Sequence, residues 1–530
     1  MSDTSVAVPP DATPPRRSFG RTFWALNSIE MFERLAYFGV RVVVPIFIMQ
    51  ADEPGGLHLT AAHKGQIYAW WFVLQSILPM FTGGFADRYG FKRTMAFSIV
   101  MNMAGYVLMS MPRELAGVLS GVFPAAQPAT LQYVCFFAAV MVLATGTAFF
   151  KPSIQGSLAQ NLTKANSSLG WGIFYWVVNI GGLAGPFVSA LIFPSLAGER
   201  TYRHWQYLFL CSAGFTGCNL LLLFTFRDVP SGADKTGSPL AVFWRTITNI
   251  FEPRLITWLL IMSGFWLMMY QLWDLHPNFI VDWVDSSGIA AGLSWLPQGM
   301  FDTLVDQTPR GPQIKQQMLL NINAGFIVVF VVFMSYLVRR MRTLSAMLIG
   351  MSVATCGILV GGLTSSGWVL AGGIVLFSIG EMLTGPKKNE YLGLIAPPGK
   401  KGLYLGYVNI PVGVGGFVGS QLAGYLYGHF GEKAVLAQRY IAEHFTETLV
   451  GPWSGKVADL EAAVGVPRTA AFDRLMELAD LDATAATRLL WDTYQPQYAV
   501  WIPFAAVGVV ATLALAVFGQ MAKRWKDMNA

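Results

Sequence analysis

The sequence predicts an all-α membrane protein of about twelve transmembrane helices, and three observations carry that expectation. The 530-residue chain is 54% hydrophobic and only 12% charged, about half the charged share of a soluble domain. Its mean hydropathy is +0.48, and it holds 17 Trp and 37 Phe. Apolar stretches long enough for a hydrocarbon core of about 30 Å, which takes about 20 residues per helix, recur along the whole chain. This balance excludes a disordered chain, a coiled coil and a nucleic-acid-binding domain. A water-facing enzyme surface would also need far more charge.

Taken in order, residues 1–20 (MSDTSVAVPPDATPPRRSFG) read as a short disordered cytoplasmic tail, because they lack the apolar core of a signal peptide. Spans are expected near 22–50, 65–86, 94–112, 132–157, 171–193, 206–226, 255–278, 316–338, 343–362, 368–396, 403–428 and 496–522. Residues 279–315 read as a loop with apolar patches. Residues 429–495 read as an extracytoplasmic helical insert, since AAFDRLMELADLDATAATRLLWDTY places apolar side chains three and four apart; its plain role is a cap over the last two spans. With the N-terminus inside, 21 of the 36 Lys and Arg fall on the cytoplasmic side and 12 outside, six of them in the long insert. The positive-inside bias therefore puts both termini in the cytoplasm of a plasma (inner) membrane protein, and the net charge of +6 reports topology. Cys135, Cys211, Cys218 and Cys356 lie in apolar segments without metal-ligand spacing, so they are expected to be buried packing residues, with no disulfide framework and no metal site.

Charges inside spans point to function, because an ionisable residue at mid-membrane costs about 2.5–3.5 kcal/mol unless a cavity or partner receives it. The first span holds four: Glu30, Glu33, Arg34 and Arg41. Glu30, Arg34, Tyr37 and Arg41 share one helical face, with Glu33 beside it. Arg34 can pair with Glu30, leaving Glu33 either to share the guanidinium or to hold a proton. Static interhelical pairing is the plainer alternative, but four charges in twelve residues exceed what packing needs. Lys151, Asp274 and Glu381 follow in the fourth, seventh and tenth spans. Lys151 precedes Pro152, where the helix is expected to loosen. Lys151 and Glu381, one from each half, can hold the two ends of a zwitterion or pair with each other. Trp266, Tyr270 and Trp273 form an aromatic stripe whose ordinary role is packing. Gly181/Gly185 and Gly415/Gly419 permit close helix approach, and GVGGFVGS lacks the Lys-Ser/Thr of a phosphate loop.

GGFADRYGFKR, after the second span, resembles the signature of the major facilitator superfamily, with Gly83, Asp87, Arg88, Gly90, Lys92 and Arg93 in place. EMFERLAYFG resembles the ExxERFxYYG signature of proton-coupled oligopeptide transporters through Glu30, Glu33, Arg34, Tyr37 and Gly39. FFKPSIQGSLA, GIFYWVVNIGGLAGP and SIGEMLTGP are similar to that family's fourth-, fifth- and tenth-span segments, and they occur in its order. The resemblance implies two six-helix bundles, here 21–226 and 255–530 with the insert, joined by a cytoplasmic linker over 227–254. It further implies alternating access around a central site, with the proton as coupling ion and no other cofactor. Glu30, Glu33 and Arg34 would couple protons. Tyr37, Arg41, Lys151, Asn179, Tyr270, Asn323 and Glu381 would meet substrate, and Asp274, Asp87 and Arg88 would gate. The chain departs from the pattern at Leu35, Phe38 and Ser153, at Tyr270 (where an acidic gating residue is common, one turn before Asp274) and at Lys387-Lys388.

These readings predict a monomeric symporter, set in the lipid bilayer, that takes up di- or tripeptides or peptide-like zwitterions. An exporter of amphipathic compounds and a non-transporting sensor or scaffold acting through 429–495 are the competing expectations. No nucleophile–base pair, metal cluster or nucleotide loop points to an enzyme.

Overall fold

The two halves of the chain repeat one packing order. In the computed structural model, which describes residues 19–163, 166–194, 200–228, 248, 250–396 and 401–524, the first span packs on the fifth and sixth, the third on the fourth and sixth, and the second on the fourth. Moved six spans along the chain, the same pairings recur: seventh with eleventh and twelfth, ninth with tenth and twelfth, eighth with tenth. The halves meet through the second against the eleventh and the fifth against the eighth. This is a pseudo-twofold pair of six-helix bundles. Residues 1–18 of the expected tail and 229–247 of the expected linker lie outside the described residues.

Small residues set the closest approaches. A side-chain carbon at Gly181 would lie 2.7 Å from Arg34 Cβ, and one at Gly185 2.6 Å from the Gly39 nitrogen, so the fifth span touches the charged stretch of the first. In the other half, Gly415 would meet the Ser263 carbonyl at 2.3 Å and Gly419 the Gln271 amide at 2.8 Å. The two glycine pairs thus do equivalent work on the fifth and eleventh spans.

Among the described residues, eight helices are long and apolar enough to cross a bilayer unaided. The remaining spans are broken, bent or charged. The first runs Arg21–Arg41 and resumes at Val44–Met49; the second runs Ala61–Ile77 and Pro79–Tyr89. Phe91–Met109 of the third bends by 72° into Pro112–Ser120, and the eleventh is Ile410–Leu426 with a π turn after it. Proline explains two of the breaks, since it removes an N–H and crowds the carbonyl four residues back. Pro45 frees the Arg41 carbonyl, which the Tyr68 hydroxyl takes at 3.2 Å. Pro79 interrupts the second span at Leu78.

Four expectations need correction. The fourth span does not open at Pro152: Pro128–Gln160 is one helix, because Thr82 donates its hydroxyl at 2.7 Å to the Ala148 carbonyl that Pro152 leaves free. The seventh span runs past 278, as Pro253–Met269, Gln271–Asp274 and His276–Trp283. The stretch read as a loop to 315 carries short helices at Ser287–Gly292 and Gln298–Leu304 and a small antiparallel hairpin, Val305–Thr308 with Gly311–Ile314, within the otherwise helical fold. Its turn, Pro309-Arg310-Gly311, was readable. Of the cysteines only Cys135 is buried; Cys211, Cys218 and Cys356 are exposed on the outside of the bundles, where lipid rather than water sets the cost of an apolar side chain.

The insert comprises Lys433–His444, Leu460–Val464, Ala471–Ala479 and Ala483–Tyr494. Its Leu436, Leu460, Leu475 and Leu490 belong to the same core as Phe279 and Trp283 of the seventh span, with Trp491 5.8 Å from Trp283. Below, the insert face is the end of the bundles that carries it, and the terminal face is the end carrying Arg21 and Arg524.

Candidate functional site

A cavity of about 230 Å³ lies between the bundles. Arg34, Tyr37, Arg41, Lys151, Asn179, Tyr270, Asn323 and Glu381 all line it, drawn from six spans. The aromatic stripe Trp266, Tyr270 and Trp273 lines it too, so these rings are wall and not only packing.

Behind Arg34 sit the two carboxylates of the first span. Arg34 Nε lies 3.2 Å from Glu30 Oε1, and its Nη2 pairs with Glu33 Oε2. All three side chains are under 10% exposed. Ionising one cation and two carboxylates away from water costs several kcal/mol per ion, offset only within the group. A proton on either carboxylate would remove the excess negative charge and leave Arg34 paired with the other. Tyr37, one turn on, donates to Gln75 Oε1 at 2.8 Å.

Arg41 is held differently. Its guanidinium stands 4.0 Å from the ring centre of Tyr68, 4.3 Å from Trp71 and 4.7 Å from Phe72. It is 4% exposed and makes no ion pair among the described residues, and its Nη1 has no hydrogen-bond partner there. Ring faces hold a cation in place without neutralising it, so the charge stays available to a ligand. Lys151, on the same cavity wall, likewise makes no ion pair among the described residues. Opposite them, Glu381 accepts from Asn323 at 3.0 Å, and Asn323 also donates to Ser378. Lys388 extends over Trp266, 4.1 Å from the ring centre. The cavity lining therefore has cations on one bundle and a carboxylate on the other, with Lys388 on that second bundle beside the lining rather than in it. Asn179 donates to its own helix at Tyr175.

Asp274 lies between the cavity and the insert face, and there it meets Lys64 of the second span at 2.6 Å. Lys64 also donates to the Asp274 carbonyl at 2.6 Å, and Ser420 donates to the second carboxylate oxygen. Lys64 was missed because it fell just outside the expected span. The signal was Thr60, whose side chain caps the helix by accepting from the His63 amide and so brings Lys64 inside the first turn. Further out, Arg200 bridges Glu53 at 3.1 Å and Asp306 of the hairpin at 2.5 Å. Burial pushes the Glu53 carboxyl up to about 7 despite Arg200, and Glu432 behaves alike beside Arg468.

Asp87 and Arg88 are not brought to this site. They end the second span at the terminal face, before Gly90, whose φ of +95° turns the chain. The following Lys92 donates its backbone N–H to Asp228 at 3.2 Å and its side chain to the Phe226 carbonyl at 3.0 Å, both within the first half. The cage of Tyr68, Trp71 and Phe72, and Gln75, were also missed: apolar or amide side chains on a span give no electrostatic signal until a charge is placed against them.

Known proteins agree with this architecture. The chain is 21% identical over 413 residues to the multidrug resistance protein MdtH of Klebsiella pneumoniae, covering 78% of this chain and 87% of that protein. It is 24% identical over 185 residues to the uncharacterized transporter YclF of Bacillus subtilis, which is 33% of each chain. It is 23% identical over 248 residues to dipeptide and tripeptide permease A of Chromobacterium violaceum, 46% of this chain and 42% of that one. A solved POT family transporter in complex with a thioalcohol-conjugated peptide superposes with a TM-score of 0.64 at 14% identity, covering 94% of this chain and 96% of that chain. Residues 28–420 match the model of the Major Facilitator Superfamily, and the chain belongs to that superfamily of membrane transporters.

Proposed function

We propose that this transporter is a proton-coupled symporter of di- or tripeptides or peptide-like zwitterions, working by alternating access. The observation that carries the reading is the polarity of the cavity lining: two cations that make no ion pair among the described residues, Arg41 and Lys151, on one bundle, and Glu381 on the other. A zwitterion satisfies both walls, its carboxylate meeting Arg41 and Lys151 and its ammonium meeting Glu381. The Glu30–Arg34–Glu33 group beside them takes the proton. Proton arrival loosens Arg34 and lets the bundles rock about the site.

The basic loops favour a cytoplasmic terminal face in a plasma (inner) membrane. On that orientation the conformation opens inward. Its inter-bundle ion pairs, Lys64–Asp274, Arg200–Asp306 and Lys433–Asp52, gather at the insert face and hold that end together.

A second reading has one observation of its own. Trp266, Tyr270 and Trp273 on the cavity wall suit a flat amphipathic compound, as does the likeness to MdtH, and the same carboxylates would then drive export. Uptake into proteoliposomes under an inward proton gradient separates the two. Labelled dipeptides should accumulate saturably and bring protons with them. Absence of any gradient-dependent peptide flux, with proton-driven release of amphipathic cations, would replace the first reading by the second.

A further inference from the structure

We propose that the helical insert between the last two spans is an outer latch of the transport cycle, with Arg468 as its positioning residue: it ties the second half of the molecule to the first loop, and the path opens toward the insert face only when Arg468 releases that loop. This rests on the alternating-access reading and not on the identity of the substrate.

The insert is built as part of the second half. Its Trp491 packs on Phe279 and Trp283 of the seventh span at 6.1 and 5.8 Å between ring centres, Trp283 donates to the Gly431 carbonyl at 2.7 Å, and Arg468 pairs with Glu432 at the root of the insert. From that anchored position Arg468 Nη2 reaches across and donates to the His58 carbonyl at 2.5 Å and the Leu59 carbonyl at 2.9 Å. Those carbonyls belong to a loop fastened to the first half. The Leu57 and Leu59 amides bond to Phe47 and Ile48 of the first span at 2.7 and 2.8 Å. Gly55, at φ +80°, has no room for a side chain, since a Cβ would lie 2.2 Å from the Tyr202 nitrogen. His58 itself is held at φ +52°, a left-handed turn rare for a non-glycine residue, and its ring contacts the Glu53 carbonyl at 2.9 Å.

The loop therefore cannot follow Arg468, nor can Arg468 follow the loop, when the two halves separate. A charged guanidinium on two carbonyls makes bonds about twice as strong as neutral ones. A parallel, weaker tie joins the same bodies: Lys433 lies 3.6 Å from Asp52, and Gln50 donates to Asp282 at 2.7 Å. A cap over the last two spans alone would need none of these contacts to the first half.

The test uses full-length protein in which Cys135, Cys211, Cys218 and Cys356 are replaced by alanine and one reporter is added. One reporter is Ile46→Cys: Ile46 is 5% exposed and lines a chamber of about 70 Å³ toward the insert face, together with Glu53, Ile280 and Arg310. Tyr175→Cys reports the terminal side. Both are labelled with a membrane-impermeant maleimide in sealed vesicles of either orientation, without substrate. Arg468→Ala should raise labelling of Ile46→Cys on the order of tenfold and lower that of Tyr175→Cys, with Arg468→Lys in between. Arg468→Gln and Arg468→Lys carry the same comparison should the alanine variant not reach the membrane. Unchanged labelling of Ile46→Cys overturns the latch. Faster labelling at both reporters also overturns it, because general loosening is the mark of a merely structural contact.

Discussion

The Lys64 ammonium and the Asp274 carboxylate lie 2.6 Å apart, their side chains 1% and 0% exposed, and they belong to opposite bundles. A pair this deeply buried contributes little net stability, yet breaking it from one side strands a charge at a cost of about 3–5 kcal/mol. Lys64→Met or Asp274→Leu alone should therefore lower the thermal unfolding midpoint in detergent clearly. Joined in one protein they should recover most of the loss. A double variant as unstable as the two losses added would mean that the side chains are not coupled.

The first-span group makes a different prediction. Glu33 shares Arg34 with Glu30, so Glu33→Gln keeps the shape of the group while removing one negative charge and one proton site. Uptake driven by a proton gradient should be abolished, whereas exchange of internal for external substrate, which needs no net proton movement, should persist. Loss of both would assign Glu33 to folding or binding instead of coupling.

Arg41 tests the polarity of the cavity. Arg41→Lys keeps the charge but loses the flat guanidinium that stacks among Tyr68, Trp71 and Phe72 and the fork that grips a carboxylate. The KM for a dipeptide with a free carboxylate should rise about tenfold, and that for its C-terminal amide should change little. An equal rise for both would remove the carboxylate from this end of the site.

How much of this was legible depended on the kind of signal each residue emits. Charges within apolar runs stand out, which is why Glu30, Arg34, Arg41, Lys151 and Glu381 were readable and why the structure finds Arg41, Lys151 and Glu381 around one cavity. Lys64 was hidden by its place at a helix start, four residues past its Thr60 cap. The Arg41 cage draws on aromatic rings that look like ordinary packing in sequence. The bridge from Arg468 to His58 and Leu59 spans more than 400 positions and ends on backbone carbonyls, which carry no residue-type signal. Pro152 misled because the hydroxyl that compensates it, on Thr82, lies in another span.

Glu53, together with Glu432 beside Arg468, gives the insert face its pH dependence. Glu53 is buried at 3% exposure against Arg200, with Asp306 and Asp52 adding negative charge nearby and the Trp205 indole donating to it at 3.1 Å. Burial outweighs Arg200, so its carboxyl is pushed from the ordinary value near 4.5 up to about 7. The closed insert face thus binds a proton more tightly than an open one in which Glu53 meets water, and by linkage closure must weaken as pH rises through that interval. Below about 4.5 both states are protonated and no further gain accrues; above about 7 the loss is complete. Spin-label distances across the insert face should report a closed population that falls between pH 5 and roughly pH 7 and then levels off. Glu53→Gln, permanently neutral, should make that slope shallower while leaving the face closed, the remainder belonging to Glu432, which is pushed up alike. Closure that strengthens with rising pH in the parent protein would show that the Arg200 attraction, and not burial, governs this carboxyl.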